Sequence, residues 1–198
     1  MNTDNLLKQI DFIKEIDKIK YIQRKTKLFN SDRPENDAEH SWHLAMMTLV
    51  LAEHSDTPID VLKVLKMVLI HDIVEIDAGD TFIYDTVKNH SNTVEELAAA
   101  KRIFGLLPTE QAEELIALWI EFEEEKTNEA KFAKSMDRME PLLQNVSNNG
   151  GTWEEFGVDY QKVFDKKKAI KEGSSLLWNY AESLLDESVK SGVLRKID

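Results

Sequence analysis

The feature that most constrains the fold is the spacing of apolar side chains, which recurs roughly every three to four residues along most of the chain. One such series runs through Leu62, Leu65, Leu69 and Ile73. This spacing places side chains on one face of an α-helix, whereas a half-buried strand alternates at every second residue. No alternating run persists long enough to predict a strand, and only 7 glycines and 4 prolines interrupt the 198 residues. The sequence therefore predicts an all-α fold.

The helix boundaries follow from the same periodicity and from capping residues. Thr57-Pro58 provides a cap followed by a proline at the first helical position, and Thr93 with Glu96 has capping-box spacing. Thr109 is another candidate cap, as is either Asn36 or Asp37. The segment 147–157 reads as the clearest long loop. We expect one domain over 1–198, with helices over 4–28, 37–54, 58–77, 92–105, 109–126, 127–147 and 159–190.

Composition limits the classes of function. The chain has no cysteine, which excludes disulfides, thiolate nucleophiles and zinc sites built from cysteine. Its net charge of −12 repels polyanions, so we expect neither a nucleic-acid polymer nor an anionic membrane as partner. No apolar run is long enough to cross a bilayer, and no secretory signal is visible. We therefore expect a soluble, cytoplasmic protein, and a phosphorylated ligand would need a local cation.

A histidine and an aspartate stand side by side, as His71-Asp72, after the apolar run 64–70. A doublet of this kind is common by chance, but at the end of a helix expected inside the bundle both groups are buried and need partners. Glu75 lies one turn further on the same face as His71, and Asp80 follows Gly79. Several acids near one histidine repel one another unless a cation sits among them.

Two other regions carry suitable metal ligands. His40 lies near the start of the helix predicted over 37–54, and Asp137 lies on the helix predicted over 127–147. Together with His71 and Asp72 they form a mixed nitrogen and oxygen set, which suits one divalent ion such as Mn²⁺, Fe²⁺, Co²⁺, Ni²⁺, Zn²⁺ or Mg²⁺. Spacing alone does not show that the three regions converge.

The order of these motifs resembles the HD-domain phosphohydrolase superfamily, and within it the branch of the 5′-deoxynucleotidases. The resemblance covers about residues 15–145, which leaves 151–198 as a helical extension. It rests on 38–42 (Ala-Glu-His-Ser-Trp), 71–75 (His-Asp-Ile-Val-Glu), 79–81 (Gly-Asp-Thr) and the late Asp137. It implies an HD-type helical bundle, an enzyme that hydrolyses nucleoside 5′-monophosphates, and often a homodimer. The metal ligands that it implies are His40, His71, Asp72 and Asp137.

The resemblance also implies roles for two acids. Glu75 activates or orients the attacking water, and Asp80 protonates the leaving 5′-oxygen. The candidate cations for the phosphate are Arg24, Arg33 and Lys88. Arg24 matches a family arginine, but the tryptophan that follows it in the family and helps to recognise the sugar is replaced here by Lys25, so the preference for a deoxy sugar stays open.

Other interpretations stay open beside this one. The same metal site would serve a triphosphate, an alarmone or a cyclic nucleotide, although the sequence shows no basic cluster beside the His-Asp pair. A module that binds metal or nucleotide without catalysis is a further alternative. His43 lies one turn after His40 and is either a packing residue or a support for the site. Lys166, Lys167 and Lys168 read as a solvated helix face.

Overall fold

The predicted helices form, with three changes in their boundaries. The structure, a computed structural model, describes residues 3–85 and 93–197. Short 3-10 turns cover Asp17–Tyr21, Ala52–His54 and His71–Val74. Two strands are β1 (Gln23–Lys27) and β2 (Pro34–Asn36); the α-helices in this part of the chain are α1 (Thr3–Ile16), α2 (Asp37–Leu51), α3 (Val61–Ile70), α4 (Glu75–Ala78), α5 (Thr93–Phe104), α6 (Thr109–Glu124), α7 (Asn128–Ser147), α8 (Gly151–Glu155), α9 (Tyr160–Lys167), α10 (Ile170–Gly173) and α11 (Ser175–Lys190).

Helix α7 is the centre of the bundle. It packs against α2, α3 and α6 and also against α9, α10 and α11. Its apolar side chains Phe132, Met136 and Leu142 are fully buried, as are Leu44 of α2 and Met67 of α3. Because α7 is buried along most of its length, polar groups on it must find partners inside the protein. None of the helices in the described parts of the chain is long and apolar enough to cross a membrane.

The prediction of a helix over 4–28 is wrong in its second half. After α1 and a 3-10 turn, residues 23–27 form β1, which pairs antiparallel with β2. The hairpin loop is fixed by a distant residue, because the side chain of Asn148 at the end of α7 accepts a hydrogen bond from Ser31 N and donates one to Leu28 O. A contact of this range leaves no signal in local periodicity, so tertiary structure overrides the helical pattern here.

Two other predicted helices also change. The helix predicted from 58 begins at Val61, because the side chain of Asp60, and not that of Thr57, accepts hydrogen bonds from Leu62 N and Lys63 N. The helix predicted over 159–190 is broken into α9, α10 and α11, and Ser174 caps the last of these. The expected loop 147–157 contains the short helix α8.

Some of the predicted helix caps form and others do not. Asn36 forms a complete capping box with Glu39 at the start of α2, which confirms that prediction. Thr109 does not cap α6, since the cap position is Pro108 and has no side-chain hydrogen bond. The side chain of Thr93 lies outside the described residues. The division into a core and an extension after Gly151 stays a prediction.

Candidate metal centre

The four predicted metal ligands come together between α2, α3 and α7. His40 projects from the first turn of α2, His71 and Asp72 lie on the 3-10 turn that follows α3, and Asp137 lies in the middle of α7. His40 Nε2 is 3.3 Å from Asp137 Oδ1 and 3.9 Å from Asp72 Oδ2. His71 Nε2 is 3.0 Å from Asp72 Oδ1 and 3.8 Å from Asp137 Oδ1. The fold therefore brings together three regions whose convergence could not be deduced from their spacing in the sequence.

Each imidazole is oriented by a partner at its other nitrogen. His71 Nδ1 lies 3.0 Å from the carbonyl oxygen of Val68, to which it donates, so Nε2 is the atom that carries the lone pair in the neutral imidazole. His40 Nδ1 lies 3.2 Å from Glu140 Oε2 and 3.4 Å from Glu35 Oε2. Both carboxylates are almost completely buried. A partner at Nδ1 that frees Nε2 is the usual arrangement around a histidine that ligates a metal.

The four residues fit a divalent cation. His71 Nε2 is buried, yet it forms no hydrogen bond to any residue of the described chain. Burial lowers the pKa of His71, but the charges of Asp72 and Asp137 outweigh it and raise that pKa to about 9. Burial likewise raises the pKa of Asp72, but His71 and Arg24 outweigh it and hold that pKa well below its usual value. Without a metal, the acids thus draw protons onto the imidazoles, which shows that this position demands positive charge.

Two further acids lie next to the four candidate metal ligands. Glu75 and Asp80, the predicted catalytic pair, line the same cavity as His71, Asp72 and Asp137. Burial and the charge of Asp72 raise the pKa of Glu75 well above its usual value. Burial raises the pKa of Asp80 even though Arg24 works in the opposite direction. Two carboxyl groups with raised pKa values beside a candidate metal centre are suited to moving protons.

Asp37 was missed from the sequence as a member of this set. It is fully buried, and burial together with the charge of Asp72 raises its pKa to about 7. Its position one residue after a helix cap suggested only a capping role. The sequence did carry a signal, because Asp37 precedes His40 by three residues and this spacing places both side chains on the same side of α2.

The three side chains predicted to bind the phosphate differ in their positions. Arg24 lies in the cavity wall, where Nη1 donates to Asp72 Oδ2 at 2.8 Å and to Asp37 Oδ1 at 3.3 Å. Arg33 lies outside the cavity and forms a two-pronged pair with Glu39, at 2.8 and 3.0 Å. Lys88 lies outside the described residues.

The cavity, of about 230 Å³, is lined by a group of cations that the sequence analysis did not place there. Lys134 and Arg138 come from α7, and Lys166 and Lys167 come from the end of α9. The prediction that Lys167 belongs to a solvated face is wrong, because its side chain is 1% exposed. It stands one turn after the buried Val163, so the periodicity of α9 carried the signal.

His43 supports the site through another residue. Its Nδ1 lies 3.4 Å from Glu140 Oε1, while the other oxygen of Glu140 faces His40. Of the two readings left open by the sequence, this contact favours a supporting position over simple packing.

Comparisons with known proteins agree with this geometry. The sequence model of the HD domain family matches residues 16–178. The chain is 28% identical to the mouse 5′-deoxynucleotidase HDDC2 over 187 residues, which cover 91% of this chain and 92% of the mouse protein. It is 29% identical to the 5′-deoxynucleotidase hdd1 of Schizosaccharomyces pombe, covering 100% of this chain and 92% of that protein.

A solved structure is similar over nearly the whole length. The crystal structure of a "predicted metal-dependent phosphohydrolase" from Magnetospirillum magnetotacticum MS-1 superposes with a TM-score of 0.93 at 49% sequence identity. The alignment covers 98% of this chain and 97% of that one.

Proposed function

The chain belongs to the HD domain family of metal-dependent phosphohydrolases, and from that premise we propose that it hydrolyses nucleoside 5′-monophosphates to the nucleoside and phosphate. The observation that carries the proposal is the convergence of His40, His71, Asp72 and Asp137; the last three also line a cavity that contains further acids and cations. Relatives named 5′-deoxynucleotidases along almost the full length support the choice of a monophosphate substrate.

In this proposal the metal is held by His40, His71, Asp72 and Asp137. A divalent cation bound there supplies neutralisation of the phosphoryl oxygens and increases the acidity of water. The chain itself supplies the orientation of both imidazoles, through Val68 and Glu140, and the burial of all four ligand side chains.

We assign the proton transfers to Glu75 and Asp80. Burial makes the Glu75 carboxylate a stronger base than one in water, which suits it to accept a proton from the attacking water. Burial also raises the pKa of Asp80, which favours the protonated form that a general acid needs. As the bond between phosphorus and the 5′-oxygen breaks, Asp80 donates that proton to the leaving oxygen.

The nucleoside has apolar surface available in the same cavity. Phe82 and Tyr84 line it, and their ring centroids are 5.4 Å apart in an edge-to-face arrangement. We propose that the base or sugar packs against these rings. Lys25, which also lines the cavity, stands where the resembling enzymes have a tryptophan, so the choice between ribose and deoxyribose is left to the experiment below.

One observation favours a second candidate substrate. Lys134, Arg138 and Lys166 gather around the cavity, although the sequence showed no basic cluster next to the His-Asp pair. Additional cations are what a nucleoside triphosphate would need for its further phosphates. Triphosphates therefore belong in the substrate panel.

The test is phosphate release from a panel of ribo- and deoxyribonucleoside 5′-monophosphates and triphosphates, with Mn²⁺, Co²⁺, Mg²⁺ or chelator. We expect metal-dependent release from monophosphates, and its loss in Asp72→Ala. Asp77→Ala is the matched control, because Asp77 is an exposed acid that pairs with Arg102. Release from triphosphates alone would replace the proposed substrate. No release from any nucleotide despite bound metal would leave a binding module in place of an enzyme.

We also propose that two copies of the chain associate through α2. In this helix, which the structure describes throughout, every exposed side chain is apolar: Trp42, Met46, Leu49 and Val50. A stripe of this kind without a charge is typical of a surface that a partner covers. The homodimer expected from the family resemblance is the simplest occupant. The cytoplasmic location expected from the sequence stays a prediction.

A further inference from the structure

Arg138 stands directly behind one of the proposed metal ligands. Asp137 uses its Oδ1 atom to face His40 Nε2 at 3.3 Å and His71 Nε2 at 3.8 Å. Its Oδ2 atom accepts a hydrogen bond from Arg138 Nη1 at 2.9 Å. The guanidinium is therefore separated from the point of convergence of the two imidazoles by the width of a single carboxylate.

The other arginine of the cavity is less available to an anion. Arg24 donates to Asp72 and Asp37, and its Nε lies 3.7 Å from Glu35 Oε2. Three acids around one guanidinium leave this region negative, so Arg24 neutralises the acids of the site. A phosphate placed there would meet three carboxylates at close range, which is unfavourable.

The cavity lysines also differ from Arg138. Lys134 lies 3.1 Å from Glu123 Oε1 and sits 4.0 Å from the centroid of the Phe122 ring. Lys167 is buried and donates to the backbone of α7. The bond from Arg138 to Asp137 uses one of several N–H donors of the guanidinium, and Arg138 lines the cavity with its side chain 25% exposed.

The backbone at Arg138 is held in place from the C-terminal segment. Lys167 Nζ donates to Arg138 O at 2.7 Å, and this bond joins the end of α9 to the middle of α7. The neighbouring Lys166 is exposed and lines the same cavity. The guanidinium thus projects from a fixed backbone position, which lowers the entropic cost of binding an anion.

We propose that Arg138 binds the phosphoryl group of the substrate and determines the affinity of the site for phosphate. This inference rests on the proposed function. A guanidinium presents parallel N–H donors that match two phosphate oxygens. Its contact with Asp137 places those donors next to the proposed metal centre. Arg24 in contrast serves to balance the acids.

The experiment measures inorganic phosphate binding to the Mn²⁺-loaded protein by calorimetry, together with the Mn²⁺ bound per chain. We expect Arg138→Gln to weaken phosphate binding by about 10- to 100-fold without loss of Mn²⁺. Arg138→Lys should recover part of the affinity, because lysine keeps the charge but not the paired donors. The control is Arg195→Gln, an exposed arginine near the C-terminus, which should bind phosphate like the unmodified protein.

Three results would overturn the inference. The first is unchanged phosphate affinity in Arg138→Gln, and the second is no phosphate binding by the unmodified Mn²⁺-loaded protein. The third is a loss of Mn²⁺ in Arg138→Gln with full recovery of phosphate binding in excess Mn²⁺, which would make Arg138 a positioning residue for Asp137. Because binding is measured without turnover, failure of the proposed nucleotidase activity would be seen separately, in the substrate panel.

Discussion

Among single residues, the acids of the cavity differ in environment more than in identity. Asp72 is held by His71 and Arg24, so its pKa falls well below the usual value. Asp80 lies 8 positions later in the chain and has a raised pKa, because burial outweighs the nearby Arg24. The environment thus favours the charged form of Asp72, which suits a metal ligand, and shifts Asp80 toward its protonated form.

The proton donor can be tested through the leaving group. Asp80→Asn should lower kcat for nucleoside 5′-monophosphates by about 10²- to 10⁴-fold, because the alkoxide leaves without a proton. For 4-nitrophenyl phosphate, whose leaving group needs no proton, the loss should be below about tenfold. Asp77→Asn on the adjacent helix is the control and should change neither rate. An equal loss on both substrates would mean that Asp80 is not the acid.

Lys167 gives a prediction about stability and pH. Burial, aided by the charge of Arg138 and of Arg24, lowers the pKa of Lys167 from 10.5 to about 7, against the opposing effect of Asp137 and Glu140. Between these two values the unfolded chain holds a proton that the folded chain lacks, so raising the pH through this window stabilises the folded state. The slope from this residue is at most about 1.4 kcal/mol per pH unit.

Urea unfolding of the chelator-treated protein from pH 7 to pH 10 measures this effect. Relative to Lys167→Met, the unmodified protein should gain stability as the pH rises. Lys168→Met, on the exposed face next to it, should keep the slope of the unmodified protein. Parallel curves for Lys167→Met and the unmodified protein would show that Lys167 titrates normally.

At the scale of elements, α10 packs closely against α7 at Gly173. A Cβ atom added to Gly173 would lie 2.8 Å from Lys131 O and 2.8 Å from the Cα of Phe132. Both are backbone atoms of a central helix and cannot move aside cheaply. Only glycine therefore lets these helices approach so closely.

Gly173→Ala should lower the free energy of unfolding by about 1–3 kcal/mol, the usual cost of overpacking. Lys171→Ala on the exposed side of the same helix should change it by less than about 0.5 kcal/mol. Chemical denaturation measures both. A loss of equal size in the two variants would indicate that α10 is simply intolerant of change.

Comparison with the sequence shows which elements were predictable. The helices over 37–54, 109–126 and 127–147 were located from periodicity, because apolar residues recur at helical spacing over 15 to 20 residues in each of them. The β1–β2 hairpin was missed, since it depends on Asn148 more than 100 residues away. The break before α11 does carry a local signal, because Gly173 ends α10 and the side chain of Ser174 caps α11.

The candidate site was likewise predictable only where its signal is local in the sequence. The order of the His, Asp and Glu motifs indicated a metal centre, but only the packing of α3 and α2 on α7 brings His71 and His40 within reach of Asp137. Arg138 was not singled out, because its hydrogen bond with Lys167 depends on how α9 lies on α7. Lys167 was wrongly placed on a solvated face, although its spacing from the buried Val163 marked it as inward-facing. Conversely, Arg33 carries a guanidinium that could bind phosphate, but this group pairs with Glu39 instead.

For the molecule as a whole, the apolar stripe of α2 predicts a dimer. Trp42, Met46, Leu49 and Val50 fall at successive turns of one helix face, and Trp42 is 63% exposed and Val50 64%. Trp42→Glu with Val50→Glu should convert the dimer to a monomer, because two charges on each copy would be buried at a symmetric interface. Light scattering coupled to size exclusion measures the mass, and Tyr21→Glu, at an exposed tyrosine outside α2, is the control that should remain dimeric. Retained helical content in the double variant would show that the stripe serves association and not folding. A monomeric mass for the unmodified protein at micromolar concentration would contradict the prediction, and the stripe would then need a partner other than a second copy of this chain.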